Sequence, residues 1–160
     1  MTQDNSIGKV EIRKGYYESG ALMWETPYVN GKMHGIEKSY YESGALMWEA
    51  SYENGNKHGV MKEYYESGAL SGESPYENGK RHGIDKYYYP SGALRGETPS
   101  VNGKRHGVMK EYHESGALRR VSQYENGKRQ GIEKNYDKDK ANIEYIALYK
   151  EDRKVTSIMI

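Results

Sequence analysis

The sequence contains no cysteine and no phenylalanine, and only 4 of its 160 residues are proline. Without cysteine, the chain can form neither disulfide bonds nor thiolate metal sites. It also lacks an apolar run long enough for a transmembrane helix. Residues 1–12 are polar and have no signal-peptide core, so we expect a cytoplasmic protein, or an exported one that has lost a signal peptide.

The sequence also lacks an excess of either charge, since its 24 Lys and Arg nearly equal its 23 Asp and Glu in number. The net charge of +1 gives no drive toward nucleic acid, and we expect no nucleic-acid partner. An apolar fraction of 35% is low for a compact globule, yet 17 Tyr and 19 Gly do not fit simple disorder. A thin, repetitive β structure accounts for both observations.

Three glycine motifs recur along the chain at intervals of 24 residues. Each copy carries a Ser-Gly pair, an Asn-Gly pair and one further glycine. Five copies follow one another without an insertion, which is typical of a repeat protein. The Asn-Gly pairs stand at 30–31, 54–55, 78–79, 102–103 and 126–127.

The turn residues predict how each copy folds. Asn-Gly predicts a two-residue β-hairpin turn, and Glu-Ser-Gly-Ala predicts a second turn. The Tyr-rich segments between the turns are too short for typical helices. We expect an all-β, elongated, single-layer antiparallel meander of 24-residue hairpin repeats with about 13 strands. It forms one domain, with caps over 1–15 and 136–160 and five repeats over 16–135.

The distribution of residues between the two faces of the sheet depends on one bulge. Leu22 and Tyr28 are an even number of residues apart, as are Ile36 and Tyr40, so each pair is expected to share a face. Simple pairing about the turn puts the two pairs on opposite faces. One extra residue at Gly35 would unite them, so we predict a one-residue bulge there.

The C-terminal segment Ile143–Ile160 is more apolar than the repeats. We expect it to form a last hairpin around Glu151-Asp152 that covers the open edge of the sheet. A short helix over 142–149 is the alternative. An exposed end strand would permit an end-to-end dimer, so the chain is expected to be a monomer or such a dimer.

The segment Glu73–Gly83, which reads Glu-Ser-Pro-Tyr-Glu-Asn-Gly-Lys-Arg-His-Gly, resembles the MORN repeat. It is more closely similar to the variant repeat of bacterial YwqK-type antitoxin or immunity proteins. The resemblance covers 12–136, although the additional Gly and Trp of the eukaryote-like unit are mostly absent. It implies a stack of hairpins used for protein–protein contact, with phospholipid headgroups as another assigned ligand.

The residues that break the repeat are the best candidates for a binding site. Trp24 and Trp48 occupy a position that later copies fill with Gly or Arg, and Met23 and Met47 precede them. Because Trp is strongly enriched in binding hot spots, we predict that these four residues contact a protein partner. Local packing near the N-terminal cap explains them equally well.

A row of basic residues along the Asn-Gly edge indicates a second kind of site, for anionic lipid headgroups. Glutamates on the same edge partly cancel its charge, and a solvated edge that prevents aggregation is the simpler explanation. The row includes Lys80, Arg81, Lys104, Arg105, Lys128 and Arg129.

No motif for catalysis or for metal binding stands out. His34, His58, His82 and His106 recur at one repeat position, about 10 Å apart, which is too far for one metal ion. His113 replaces a repeat tyrosine, one ring for another. We expect no enzyme activity and no cofactor.

The sequence therefore predicts a non-enzymatic protein-binding scaffold. A specific form of this function is an antitoxin or immunity protein that occludes a cognate toxin. The alternative is a peripheral membrane protein that binds phospholipid headgroups through the basic edge.

Overall fold

The computed structural model describes residues 9–138 and 142–160. All regular structure in these ranges belongs to one antiparallel sheet of 18 strands. No helix in the described part of the chain is long and apolar enough to cross a membrane. Residues 1–8 of the predicted N-terminal cap, and 139–141 after the last repeat, lie outside the described residues.

Each repeat contributes an eight-residue strand, a two-residue strand and a six-residue strand, in that order. The eight-residue strands are β2 (Leu22–Val29), β5 (Leu46–Glu53), β8 (Leu70–Glu77), β11 (Leu94–Val101) and β14 (Leu118–Glu125). The two-residue strands are β3 (Lys32–Met33), β6 (Asn56–Lys57), β9 (Lys80–Arg81), β12 (Lys104–Arg105) and β15 (Lys128–Arg129). The six-residue strands are β4 (Gly35–Tyr40), β7 (Gly59–Tyr64), β10 (Gly83–Tyr88), β13 (Gly107–Tyr112) and β16 (Gly131–Tyr136).

Three further strands complete the sheet: β1 (Val10–Tyr16), β17 (Ile143–Lys150) and β18 (Arg153–Met159). Each two-residue strand runs into the next six-residue strand after a single residue, so the 18 strands form 13 extended segments. The predicted all-β, single-layer hairpin array is confirmed. The C-terminal hairpin forms around Glu151 and Asp152, and the alternative helix over 142–149 is wrong because β17 occupies that segment.

The Asn-Gly turns define one edge of the sheet. Both turn residues have positive φ, 50° at Asn30 and 76° at Gly31, and the other four copies repeat this geometry. Neighbouring turns are also joined, since the amide of Gly55 donates to the carbonyl of Met33 at 2.8 Å. Equivalent bonds continue along the array, so the turns stack in a row.

The bulge predicted at Gly35 is wrong in size. The chain pairs Tyr28 with Met33 before this point and Glu25 with Lys38 after it, so two residues are extra rather than one. An even number of extra residues leaves the alternation of side chains unchanged. This step therefore does not move side chains from one face of the sheet to the other.

The one-residue bulge lies beside the other turn, at Met23. Gly15 pairs with Trp24, whereas Tyr16 pairs with Leu22, which leaves Met23 as the extra residue of β2. Register shifts at the same place occur in every copy. This bulge places Leu22 on the face opposite Trp24, and with it overturns the expectation that Leu22 and Tyr28 share a face.

On one face of the sheet most rows carry nearly the same residue in every copy, and we call it the repeating face. A row consists of the equivalent residues of successive copies, 24 positions apart. Rows on this face begin at Ile12, Lys14, Tyr16 and Leu22, and a row of glutamates begins at Glu25. The Ile or Val of each copy on this face is about half exposed, from 43% to 57%. The repeating face therefore has a regular surface of aliphatic, lysine, glutamate and tyrosine rows.

Hydrogen bonds between tyrosine and glutamate join the copies on the repeating face. The Tyr40 hydroxyl donates to Glu25 Oε1 at 2.8 Å, and the same bond forms at Tyr64–Glu49, Tyr88–Glu73 and Tyr112–Glu97. The bond from Tyr40 lowers the pKa of Glu25. Burial, aided by this bond, raises the pKa of Tyr40 to about 12.

A second set of tyrosines joins each Ser-Gly turn to the next copy. The hydroxyl of Tyr17 donates to the carbonyl of Tyr40 at 2.6 Å, and Tyr41, Tyr65 and Tyr89 make the equivalent bonds. His113 takes this position in the following copy, where its Nε2 is buried and has no hydrogen-bond partner. The ring is retained in this copy, but the connection that it should make is absent.

Tyr41→Phe should lower the free energy of unfolding by about 1 kcal/mol, because it removes one hydrogen bond and a typical bond has a net contribution of that size. His113→Tyr should raise stability by a similar amount, about 1 kcal/mol, by supplying the missing donor. Each change corresponds to a shift of about 3 °C in the melting temperature for a domain of this size. Thermal unfolding of both variants checks this, and equal melting temperatures for the three proteins would contradict it.

Stability should fall when the pH rises above about 10, the pKa of an unfolded tyrosine. The folded pKa of Tyr40 is higher, so its contribution is complete below the unfolded value and is lost as the pH approaches 12. Tyr40→Phe should therefore have a flatter stability profile than the parent between these values. Chemical unfolding at stepped pH, followed with phenolate absorbance, measures the difference, and parallel profiles for the two proteins would refute it.

Candidate functional site

The face opposite the repeating face changes from copy to copy, and we call it the variable face. Cross-strand contacts define it: Thr26 Oγ1 donates to Glu37 Oε1 at 2.9 Å, and Trp24 pairs with Ser39. One row reads Arg13, Glu37, Met61, Asp85, Met109 and Glu133. A second row reads Gly15, Ser39, Glu63, Tyr87, Glu111 and Asn135, and a third reads Trp24, Trp48, Gly72, Gly96 and Arg120.

A line of small residues runs through the middle of the variable face. These residues are only 1% to 7% exposed, because the larger side chains in the neighbouring rows shield them. The line consists of Thr26, Ala50, Ser74, Thr98 and Ser122. The variable face therefore combines a floor of small, buried residues with larger side chains that differ between copies.

The structure brings the two tryptophans together at the N-terminal end of the variable face. Ser39 pairs with Trp24 on one side and with Trp48 on the other, so the tryptophans flank it at about twice the strand spacing, about 10 Å. Met23 and Met47 are the bulge residues next to them. All four side chains are half-buried. We call these residues the Met/Trp patch.

Neighbouring residues fix the orientation of the Met/Trp patch. The indole of Trp24 lies over Gly15, where an added Cβ would overlap the ring. The ammonium of Lys57 lies 5.5 Å from the centre of the Trp48 ring, within the range of a cation–π contact. The patch therefore presents partly exposed aromatic surface in a defined arrangement.

The six basic residues predicted along the Asn-Gly edge divide between the two faces. Arg105 lies 5.4 Å from the Tyr124 ring and Arg129 lies 4.3 Å from the Tyr149 ring, both on the variable face, and Arg81 occupies the same row. The lysines that precede them belong to the opposite face and are exposed: Lys80, Lys104 and Lys128. These residues do not form one continuous basic row.

The repeated histidines lie where each two-residue strand passes into the six-residue strand. The amide of His34 donates to the carbonyl of Pro27 at 3.0 Å, and His58, His82 and His106 make the same backbone bond. Within 9–138 and 142–160, no group of three or more His, Cys, Asp or Glu residues is placed to hold a metal ion.

A cavity of about 320 Å³ opens on the variable face between β11 and β14, at a place that no sequence motif marks. Four arginines border it: Arg95, Arg105, Arg119 and Arg120. We call this site the arginine pocket. The sequence signal was the change from Met-Trp in early copies to Arg-Gly and Arg-Arg in later ones, but only the strand pairing shows that these residues meet.

The repeat unit matches a known family. The family model for the MORN repeat variant aligns with residues 33–54, 57–78, 81–102 and 105–126, which together make up more than half of the chain. The chain belongs to the MORN repeat variant family. Each matched MORN repeat begins at the end of a two-residue strand and continues through the six-residue strand, the Ser-Gly turn and the eight-residue strand. It ends at the Asn of the next Asn-Gly pair.

Comparisons with individual proteins add less than the MORN repeat assignment. A search of curated proteins found no match. Among solved structures, the chain is similar to one described as accessory secretory protein 1, 2 and 3 in Streptococcus pneumoniae, at 14% identity and a TM-score of 0.35. That similarity covers 78% of this chain and 20% of the other, so this chain spans a fifth of its length.

Gly15→Ala should displace the Trp24 indole, since the added methyl group occupies the position of the ring. The backbone φ at Gly15 is not positive, so the ring contact alone should produce the effect. We expect a loss of about 1–3 kcal/mol, typical of overpacking. The indole N–H resonance of Trp24 should shift, with Trp48 as the internal reference.

Gly72→Ala is the matched control, because the nearest atom to its added Cβ is the flexible carboxylate end of Glu63. The control should leave both indole resonances in place. An unchanged Trp24 resonance in Gly15→Ala would show that the ring does not cover this glycine in solution.

Proposed function

We propose that this MORN repeat array is a protein-binding scaffold that uses its variable face to hold a protein partner. The supporting observation is that most of the residues that differ between copies lie on one face, while the opposite face keeps its aliphatic, lysine, tyrosine and leucine rows in every copy. A repeat fold needs the constant rows for its own packing. It does not need Trp in one copy and Gly in another at the same place, so this variation suits recognition.

The Met/Trp patch is the proposed anchor of this interface. Hot spots are enriched in large Trp side chains that the partner can bury and shield from water. Trp24 and Trp48 meet this description and are separated by only one strand. Flexible methionines beside them suit a surface that adapts to a partner. Fixed contacts to Gly15 and Lys57 reduce the entropy that the rings would lose on binding.

The proposed biological role is that of an antitoxin or immunity protein that occludes a cognate toxin. In the described part of the chain, backbone hydrogen bonds join each strand and each Asn-Gly turn to its neighbour, which favours a preformed surface. Such a surface can cover the functional region of a partner without catalysis. Anchoring by aromatic residues would supply affinity, and charged rows would set the orientation.

A double variant tests the anchor without introducing a residue foreign to the fold. Trp24→Gly with Trp48→Gly reproduces the residue that the third and fourth copies already carry at this position. We expect the partner captured by the parent protein from native lysate to bind the purified variant at least about tenfold more weakly, since a hot-spot loss is at least that large. Calorimetry with the purified partner measures the change.

The matched control replaces the exposed lysines Lys80, Lys104 and Lys128 with Ala, and it should bind the partner like the parent. Full binding by the tryptophan variant would overturn the proposed anchor. If the lysine variant alone loses binding, and the parent sediments with anionic vesicles in low salt, lipid binding through the edge replaces the proposal.

The antitoxin role has its own test in a bacterial growth assay. The captured partner, expressed alone, should arrest growth, and co-expression of the parent chain should restore it. The double tryptophan variant should fail to restore growth at an equal protein level. A captured partner that is harmless by itself would leave protein binding in place and exclude the antitoxin role.

A further inference from the structure

Arg105 differs from the arginines at the same position in the neighbouring copies. Arg81 and Arg129 each have an acidic residue four positions later, Asp85 at 3.6 Å and Glu133 at 3.5 Å. In the copy of Arg105 this position is methionine. The guanidinium of Arg105 therefore has no carboxylate partner among the described residues, and it borders the arginine pocket.

The other arginines of the pocket add to this unbalanced charge. Arg95 and Arg119 are the bulge residues of β11 and β14, and neither forms an ion pair within the described residues. Arg120 does pair with Glu111 at 2.8 Å, yet its Nε is buried and has no hydrogen-bond partner. A buried N–H group without an acceptor is costly, and a bound anion would remove that cost.

Glycine at the tryptophan position creates the space for a ligand. Gly96 occupies the place that Trp24 and Trp48 hold in earlier copies, so the pocket lacks a side chain there. Tyr87 and Tyr124 also border the resulting cavity. Its volume of about 320 Å³ lies at the lower end of the range of small-ligand sites.

We propose that the arginine pocket binds a compact dianionic oxyanion of the phosphate class. Planar guanidinium groups form paired, charge-assisted hydrogen bonds with such oxygens. Arg95, Arg105 and Arg119 together carry three positive charges that no described carboxylate balances, which favours a dianion over a single carboxylate. This site lies about three copies from the Met/Trp patch and is independent of the proposed protein anchor.

The probe for this site is inorganic phosphate, titrated by calorimetry and by NMR of the arginine side chains at constant ionic strength. We expect saturable binding to the full chain and at least about tenfold weaker binding by Arg105→Met, the loss of a charge-assisted pair. Methionine is already present at this position as Met33 in the first copy, so the fold accommodates it.

Met109→Glu is the second variant, and it adds charge instead of removing it. It supplies the acid that Asp85 and Glu133 provide to their own arginines, so it should pair with Arg105 and also weaken phosphate binding at least about tenfold. Lys57→Met is the matched control, because it removes a cation from the same row outside the pocket. This control should bind phosphate like the parent.

Equal phosphate affinity in all four proteins, or equal binding of acetate and phosphate by the parent, would overturn the proposal. Circular dichroism and thermal unfolding establish that each variant is folded. Vesicles that contain phosphatidic acid, tested with the same variants, distinguish the source of the dianion. Sedimentation that depends on Arg105 supports a lipid headgroup in the pocket, and binding of soluble phosphate alone supports a free anion.

Discussion

Paired positive φ angles at the Asn-Gly turns are the constraint on which the rest of the sheet depends. Each turn fixes which residues of the strands before and after it lie opposite each other, and alternation then assigns side chains to the two faces. The bonds from one turn to the next, such as Gly55 to Met33, transmit this register along the array. The 24-residue interval thus becomes a set of straight rows, one for each position of the repeat.

This arrangement separates two tasks between the two faces. Lysine, glutamate and tyrosine rows on the repeating face join one copy to the next through bonds such as Tyr40 to Glu25. On the variable face, the floor positions stay small, as Thr, Ala or Ser, while the side chains in the adjacent rows change in size and charge. The chain therefore carries an aromatic patch near its N-terminal end and an arginine pocket about three copies further along, on the same repeated backbone.

Much of this architecture could be predicted from the sequence, because its signals are local. Asn-Gly and Ser-Gly pairs specify the turns, and the fixed interval specifies that equivalent residues stack. That is why Trp24 and Trp48 were expected to act together and why they lie on either side of one strand. The final hairpin was also predictable, since Glu151 and Asp152 separate two apolar segments as the Asn-Gly pairs separate the strands of each repeat.

The details that escaped prediction depend on pairing between strands. Residue spacing does not reveal how many residues at Gly35 remain unpaired, so the one-residue bulge was assigned to the wrong strand. The arginine pocket was missed for a related reason: Arg95, Arg105 and Arg119 are well separated in sequence, and they become neighbours only through the register of β11 to β14. The missing acid beside Arg105 is visible only by comparison with Arg81 and Arg129.

The missing tyrosine at His113 has a consequence for the way in which the array opens. Since each copy contacts only its neighbours, stability is a sum of interface contributions and not the property of one shared core. The junction after His113 lacks a hydrogen bond that the earlier junctions possess. The last copy and the terminal hairpin can therefore separate as a unit of lower local stability, and their amide protons would exchange with solvent before those of the preceding copies.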